Sequence, residues 1–269
     1  MKKMKLFSIA SLLMLAVACS KIDESKNVIT PQNTSSMSIN NKTNDELIKS
    51  YLTNILSFSP DDIKEEQDFF IIEDDMLISK NDFWTTFKKE DLSNKNLRHR
   101  KWFNLVTKTK NIPVSIYPEV NSTWRKAVTD AINQWNRLNG GVKFYITASN
   151  QSVSNGINVF YADLGNDKAI AQGELPTGNG NAGSRVRLNR RFVNMSAYCS
   201  MVYTITHEFG HNIGLNHTDT YDGTQLYTNN FTCDNSTDAN SLMGRYLPPN
   251  SCNTFTSCDI KAFLALYPK

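Results

Sequence analysis

The sequence predicts an α+β fold, on three observations. Between Asn111 and Leu188, short β-type segments flank one strongly amphipathic helix. A longer helical segment follows at 197–214, and behind it a loop-rich stretch ends in a short helix at 259–267. The order is strand, helix, four strands, helix, loops and helix, so strands and helices are not strictly alternating as a doubly wound parallel sheet would require. The expected core is a twisted mixed sheet of about five strands, the longer helix at 197–214 and a loop-rich C-terminal subdomain, preceded by a small α/β N-terminal region.

Each element has a local cause. Residues 111–117, 142–147, 157–161 and 184–188 read as strands, with a short one at 169–172. Residues 123–138 place Trp124, Ala127, Val128, Ala131, Ile132 and Trp135 on one helical face, and Asn139-Gly140-Gly141 ends that helix. Further upstream, Leu47, Ile48, Tyr51, Leu52, Ile55 and Leu56 give 45–58 a helical stripe. Ser59-Pro60-Asp61-Asp62 looks like a second helix start, with Pro near the first helical position and acids in the first turn. Phe69–Ile72 and Met76–Ile78 flank the turn Glu73-Asp74-Asp75, a hairpin pattern. The basic run Arg98-His99-Arg100-Lys101 marks a boundary between front and back parts, and there His99 reads as a solvent-exposed residue.

Composition bounds the classes. The chain has 269 residues, 40% hydrophobic and 20% charged, with 12 Gly and 8 Pro, which excludes collagen-like, coiled-coil and wholly disordered chains. The formal charge of +3 dissolves on inspection: Lys2, Lys3 and Lys5 lie in the first 18 residues, and without them 26 basic residues balance 26 acidic ones. What remains is a split, −7 over 19–91 and +7 over 92–269. Two oppositely charged parts attract each other, and a neutral total argues for no nucleic-acid partner.

The N-terminus reads as an export signal. Three lysines precede an apolar stretch from Leu6 to Val17, too short for a membrane span, which ends at Ala16-Val17-Ala18-Cys19. This resembles a bacterial lipoprotein signal, with Leu15 one position early, and implies lipidation of Cys19 after removal of 1–18. Ser20 in place of Asp suggests outer-membrane sorting, and Lys21-Ile22-Asp23-Glu24 resembles short surface-export signals. The alternative is plain secretion. Residues 19–44 read as a flexible tether, 45–101 as a separate N-terminal region and 102–269 as the main domain. Cys199, Cys233, Cys252 and Cys258 are disulfide candidates in an exported chain, with three pairings open. The absence of a Cys-x-x-Cys pair disfavours zinc binding by them.

Three of the four histidines fall within His207-Glu208-Phe209-Gly210-His211-Asn212-Ile213-Gly214-Leu215-Asn216-His217. Residues four apart share a helix face, so His207 and His211 converge. Gly214 can stop the helix in a left-handed turn and return His217 as a third ligand. Three imidazoles suit one Zn²⁺ and leave its fourth position open, the mark of a catalytic site. Glu208, beside the ligands, is placed to act as general base and then acid toward a zinc-activated water. The long spacing is far more specific than HExxH alone.

This segment resembles the metzincin zinc peptidases. Ser241-Leu242-Met243-Gly244 resembles their Met-turn, with Met243 under the histidines. Arg245 stands where many metzincins carry Tyr; Tyr246, one position later, either helps bind the oxyanion or packs in the C-terminal loops. His217-Thr218-Asp219 and Phe255 to Pro268, with Asp259-Ile260-Lys261-Ala262, are similar to the bacterial dual-action HEIGH metallopeptidases, with Phe209 in place of the usual Ile. The resemblance covers about 102–269.

It implies a zinc endopeptidase acting on proteins or peptides at the bacterial surface, as a monomer, anchored to the membrane through the N-terminal lipid. The alternatives are a non-catalytic binding lipoprotein of the same fold and a zinc exopeptidase. It also implies substrate binding along a sheet edge, expected at Ala169-Ile170-Ala171-Gln172, with Asn179–Gly183 as a mobile loop beside the cleft. Asp219 either orients a histidine or caps a turn. Asp219, Asp222, Asp234 and Asp238 either hold Ca²⁺ or form simple turns. The acidic front part is either an accessory domain or a latency segment. No Cys lies between Cys19 and Cys199, so a carboxylate from Asp74 or Asp75 is the candidate to cover the zinc.

Overall fold

Eight strands form one mixed sheet, and its order shows how front and back parts join. The computed structural model describes residues 43–54, 56–86, 102, 104–148, 151–165, 168–218, 238, 240–246 and 255–269. All lie in one compact unit, Asn41–Lys269. Strands β1 (Ile63–Glu65), β2 (Phe69–Ile72) and β3 (Met76–Ser79) come from the front part. The back part contributes β4 (Asn111–Ile116), β5 (Lys143–Ile146), β6 (Ile157–Ala162), β7 (Ala171–Glu174) and β8 (Arg185–Asn189). The order is β1-β2-β3-β7-β8-β6-β4-β5. The expected five strands are therefore those of the back part, and the front part extends their sheet.

The helices follow the apolar stripes. Helix α1 (Asn44–Asn54) buries Ile48, Tyr51 and Leu52. They join Phe70, Ile72 and Phe83 in an apolar cluster of the front part, where Phe83 begins the short helix α2 (Phe83–Thr86). Trp102 and Leu175 of the back part complete that cluster. Helix α3 (Ser122–Arg137) buries the six residues read from its spacing, from Trp124 to Trp135. Asn121 caps it, its side chain accepting from the Trp124 N–H at 3.0 Å. Helix α4 (Tyr198–Asn212) packs on α3, β7 and β8, and from Met201 onward it is buried throughout. Such an all-round burial leaves polar atoms inside as well, among them Glu208 Oε2, which meets no hydrogen-bond partner there.

Helix α5 (Ser257–Leu266) closes the C-terminal end with a capping box between Thr256 and Asp259. Asp259 does more than cap. Its carboxylate also accepts from the Ser241 hydroxyl at 2.6 Å and the Leu242 N–H at 2.8 Å, which ties the turn at 241–244 to α5. Cys199 and Cys258 are each disulfide-bonded. Cys233 and Cys252 lie outside the described residues, as do the signal at 1–18, Cys19, the tether up to 42, the basic run at 98–101, and Asp219, Asp222 and Asp234. Among the described residues, no helix is long and apolar enough to cross a membrane.

Three expectations are corrected. The helix start at Ser59–Asp62 is only a three-residue 3-10 turn, Pro60–Asp62, and Ser59 makes no side-chain cap. The chain turns extended at Ile63 because 63–65 pair with 70–72 of β2, a tertiary gain that overrides the local capping signal. The strand expected at 169–172 runs from Ala171 to Glu174 and is not an open edge: β3 pairs with it in parallel, Met76 opposite Gly173. The Gly-rich loop 179–183 is pinned, since the Gly180 carbonyl accepts from the Thr107 and Lys108 N–H groups and the Gly183 N–H donates to the Asn212 carbonyl. The hairpin at 69–79 forms as expected, with positive φ at Glu73 (54°) and Asp74 (75°).

Candidate metal centre

Three imidazoles meet in the interior where α4 ends. His207 and His211 come from successive turns of α4. The helix stops at Gly214, whose φ of +93° only glycine adopts readily, and an added Cβ there would lie 2.7 Å from the Asn104 carbonyl. The reversal returns His217, fully buried, to the other two. Nε2 of His207 lies 2.9 Å from that of His211 and 3.3 Å from that of His217.

The opposite ring nitrogens reveal the tautomers. His207 Nδ1 donates to the Leu242 carbonyl at 2.7 Å, and His211 Nδ1 to the Leu215 carbonyl at 2.8 Å. His217 Nδ1 donates to the Glu73 carboxylate at 2.7 Å. A carbonyl or carboxylate can only accept here, so each Nδ1 carries a hydrogen, and the three Nε2 atoms are the ones left to face a metal. Lone pairs this close repel unless a cation shares them. Nitrogens around a tetrahedral zinc with bonds of about 2.0–2.1 Å lie about 3.3 Å apart, so the donor set fits the metal.

A fourth donor comes from the front part. Asp75 Oδ2 lies 3.1 Å from His217 Nε2 and 3.4 Å from His207 Nε2. One ligand atom each from Asp75, His207, His211 and His217 falls within 4.8 Å of the others, the one such group among the described residues. Asp75 Oδ1 is buried without a hydrogen-bond partner. Asp74, the other candidate, turns away to pair with Lys64. Of the four acids named for Ca²⁺, only Asp238 is described, and it accepts from Thr256 and the Asn240 N–H as a turn residue does.

Charge shapes the site. Burial pushes the Asp75 carboxyl up, but the imidazoles of His217, His207 and His211 outweigh it and hold the group below the usual carboxylate range. Burial lowers His217, yet Asp75 and Glu73 on either side raise it to about 10. His211 is held well below its ordinary value by burial and by His207. Burial first, then the Asp75 carboxylate, hold Glu208 well above its ordinary value. Three buried carboxylates around three imidazoles favour positive charge, the condition a divalent cation meets.

Glycine lets the parts approach. A Cβ on Gly173 of β7 would lie 2.8 Å from the Glu208 carbonyl and 2.9 Å from its carboxylate. A Cβ on Gly210 would collide with Met243 Sδ, so Met243 sits buried directly against α4. Tyr246 is 76% exposed, which excludes the packing role, and it lines a cleft of about 300 Å³ beside His207 and Glu208.

The sequence alone names the three histidines, Glu208, Gly214, Met243 and, as one of two, Asp75. It does not single out Glu73, which reads only as a turn residue, or Asp259 as the anchor of the 241–244 turn. Nor does it single out Gly173, although a glycine inside a strand is a signal of close approach.

Residues 97–263 match the family model described as Reprolysin_5, Metallo-peptidase family M12. No curated protein matches. Among solved structures, one of myroilysin is 16% identical, covering 63% of this chain and 83% of that one, with a TM-score of 0.43. High choriolytic enzyme 1, a hatching enzyme zinc-protease from Oryzias latipes (medaka fish), is 16% identical, covering 62% of this chain and 94% of that one, with a TM-score of 0.39.

Proposed function

Because the chain belongs to metallo-peptidase family M12 and is a zinc metalloprotease, we infer that it is a latent endopeptidase whose own front part covers the active centre. The single observation that carries this reading is the convergence of His207, His211 and His217 on the Asp75 carboxylate, which lies 142 residues before His217 in the chain. We place the chain nearest the bacterial dual-action HEIGH peptidases, on the motif residues quoted above.

His207, His211 and His217 would hold the zinc, each oriented by the acceptor on its Nδ1. Bound there, zinc supplies Lewis-acid polarisation of the scissile carbonyl. Glu208 takes the proton of the attacking water and returns it to the departing amine. Its buried carboxylate has no hydrogen-bond partner at Oε2, which leaves that oxygen open to accept from the water. Tyr246 stands on the cleft rim, exposed, where its hydroxyl can donate to the oxyanion.

Latency rests on three contacts. Asp75 occupies the position a substrate oxygen would take. Strand β3 takes the outer side of β7, where a peptide would add as a strand. Opposite charges fasten the cover: Arg187 holds Glu66 bidentately at 2.7 and 3.1 Å, and Arg245 holds Asp62 at 2.7 Å. The −7 and +7 halves thus meet as specific pairs. The mature chain is read as an outer-membrane lipoprotein anchored through Cys19, on the cell surface or facing the periplasm.

The test is digestion of casein and of an end-blocked peptide by the full chain, before and after trace trypsin. Cleavage that appears after trypsin, stops with a chelator and returns with Zn²⁺ is expected. Cleavage of peptides with free ends alone would make it an exopeptidase, and indifference to the chelator would overturn the zinc reading.

A further inference from the structure

The acceptors that orient the three histidines come from two different parts of the chain. His207 and His211 donate to the Leu242 and Leu215 carbonyls, backbone groups of the back part itself. His217 donates instead to a side chain, the Glu73 carboxylate, which stands 144 residues earlier on the hairpin of the front part. The helix fixes the first two rings, because both residues belong to α4. His217 lies outside it, past Gly214, so the direction of its ring depends on the groups it bonds.

The hairpin tip makes this contact at a local cost. Glu73 and Asp74 have positive φ, 54° and 75°. Two such residues in succession suit Asn and Gly, and a side chain beyond Cβ gains nothing from that backbone. Glu73 is nevertheless buried, 6% exposed. A residue kept in an unfavourable conformation is held there by its surroundings. The tip is bonded on both sides of Glu73. Its own N–H donates to the Asp62 carbonyl at 2.8 Å, while the Asp74 carbonyl accepts from the Gln172 amide at 2.8 Å and the Asp75 carbonyl from the Gly173 N–H at 2.9 Å.

Glu73 and Asp75 meet opposite edges of one ring, Nδ1 at 2.7 Å and Nε2 at 3.1 Å. Their tasks therefore differ. Asp75 stands where the Nε2 atoms converge and blocks that point. Nδ1 faces away from it, so Glu73 covers nothing.

We propose that Glu73 is a positioning residue for the zinc ligand His217, so that the hairpin which covers the metal centre also completes it. The inference rests on the zinc reading of the site and deepens it. A carboxylate on Nδ1–H fixes the ring and its tautomer and makes Nε2 the stronger donor. The coupling is reciprocal: a metal held through His217 tightens the hairpin in turn.

The experiment measures the zinc dissociation constant of the full, uncut chain by competition with a chromophoric chelator, and a melting curve of each variant checks that it folds. Glu73→Ala is expected to raise the constant about 10–100-fold, the usual effect of losing the acceptor behind a metal-bound histidine. Glu73→Gln keeps an accepting oxygen without the charge and should raise it roughly fivefold. Asp62→Asn is the control. It loosens the cover at its pair with Arg245, leaves His217 untouched, and should stay close to the parent value. A parent-like constant in Glu73→Ala would overturn the proposal. So would an Asp62→Asn chain weakened as much, since Glu73 would then act only by holding the cover. Should Glu73→Ala not melt cooperatively, Glu73→Gln decides, and a parent-like constant there would overturn the proposal. A parent chain that binds no zinc fails the zinc reading itself, and the proposal with it.

Discussion

Replacing Asp75 with Ala in the intact chain is expected to raise casein digestion at least about tenfold without any cut in the chain. Among the described residues, Asp75 is the one front-part carboxylate that reaches the Nε2 atoms of the histidines, 3.1 Å from His217 and 3.4 Å from His207. Its pairing there is what keeps its carboxyl ionised despite burial. Removing one partner from a buried charged pair costs about 3–5 kcal/mol, several factors of ten in the covered-to-open ratio. Part of that loss leaves the cover in place, because β3 still pairs with β7 and Glu66 and Asp62 still hold their arginines. Hence the stated rise lies below the full figure. Asp74→Asn, which suits the positive φ there and removes only the charge paired with Lys64 at the surface, serves as the control and should change little. The gel must show an uncut chain, and an Asp75→Ala chain as silent as the parent would place latency elsewhere.

Glu208→Gln is expected to abolish proteolysis while the zinc stays. The change keeps shape and volume, so α4 and the three histidines should keep their places. What it removes is the proton acceptor beside the attacking water, an effect of about 10²–10⁴ in rate. Folding should not suffer. Burial and the Asp75 carboxylate both disfavour an ionised Glu208, so a neutral amide relieves a strain that the folded state bears. Metal analysis and a melting curve, run beside the casein assay, separate a lost proton transfer from a lost site. A Glu208→Gln chain that digests casein at the parent rate would remove Glu208 from the mechanism.

The parts of the site that are legible in sequence are those set by local geometry. His207 and His211 share a face because of the helical repeat, and Gly214 ends the helix because of its conformational freedom. Both hold in the structure, and so do the bounds of α3 and the 69–79 hairpin. Charge composition also carries real information: the opposed halves meet as Glu66 with Arg187 and Asp62 with Arg245. What stays hidden are contacts across long stretches of chain. No local pattern announces that β3 adds to β7, or that Glu73 will orient His217 from 144 residues away. Ser59-Pro60-Asp61-Asp62 shows the reverse case, where a sound local signal loses to strand pairing. The anchor role of Asp259 is hidden for a related reason: a residue that fits a capping box at its own helix also meets Ser241 and Leu242, which sequence distance conceals.

The central claim is that three histidines hold zinc with Asp75 closing the site. Zinc X-ray absorption on the full, uncut chain, compared with its Asp75→Ala variant, tests it most directly. The account predicts three imidazoles in both, and a carboxylate that is present in the parent and lost in the variant. A spectrum with fewer imidazoles, or one that Asp75→Ala leaves unchanged, would contradict it.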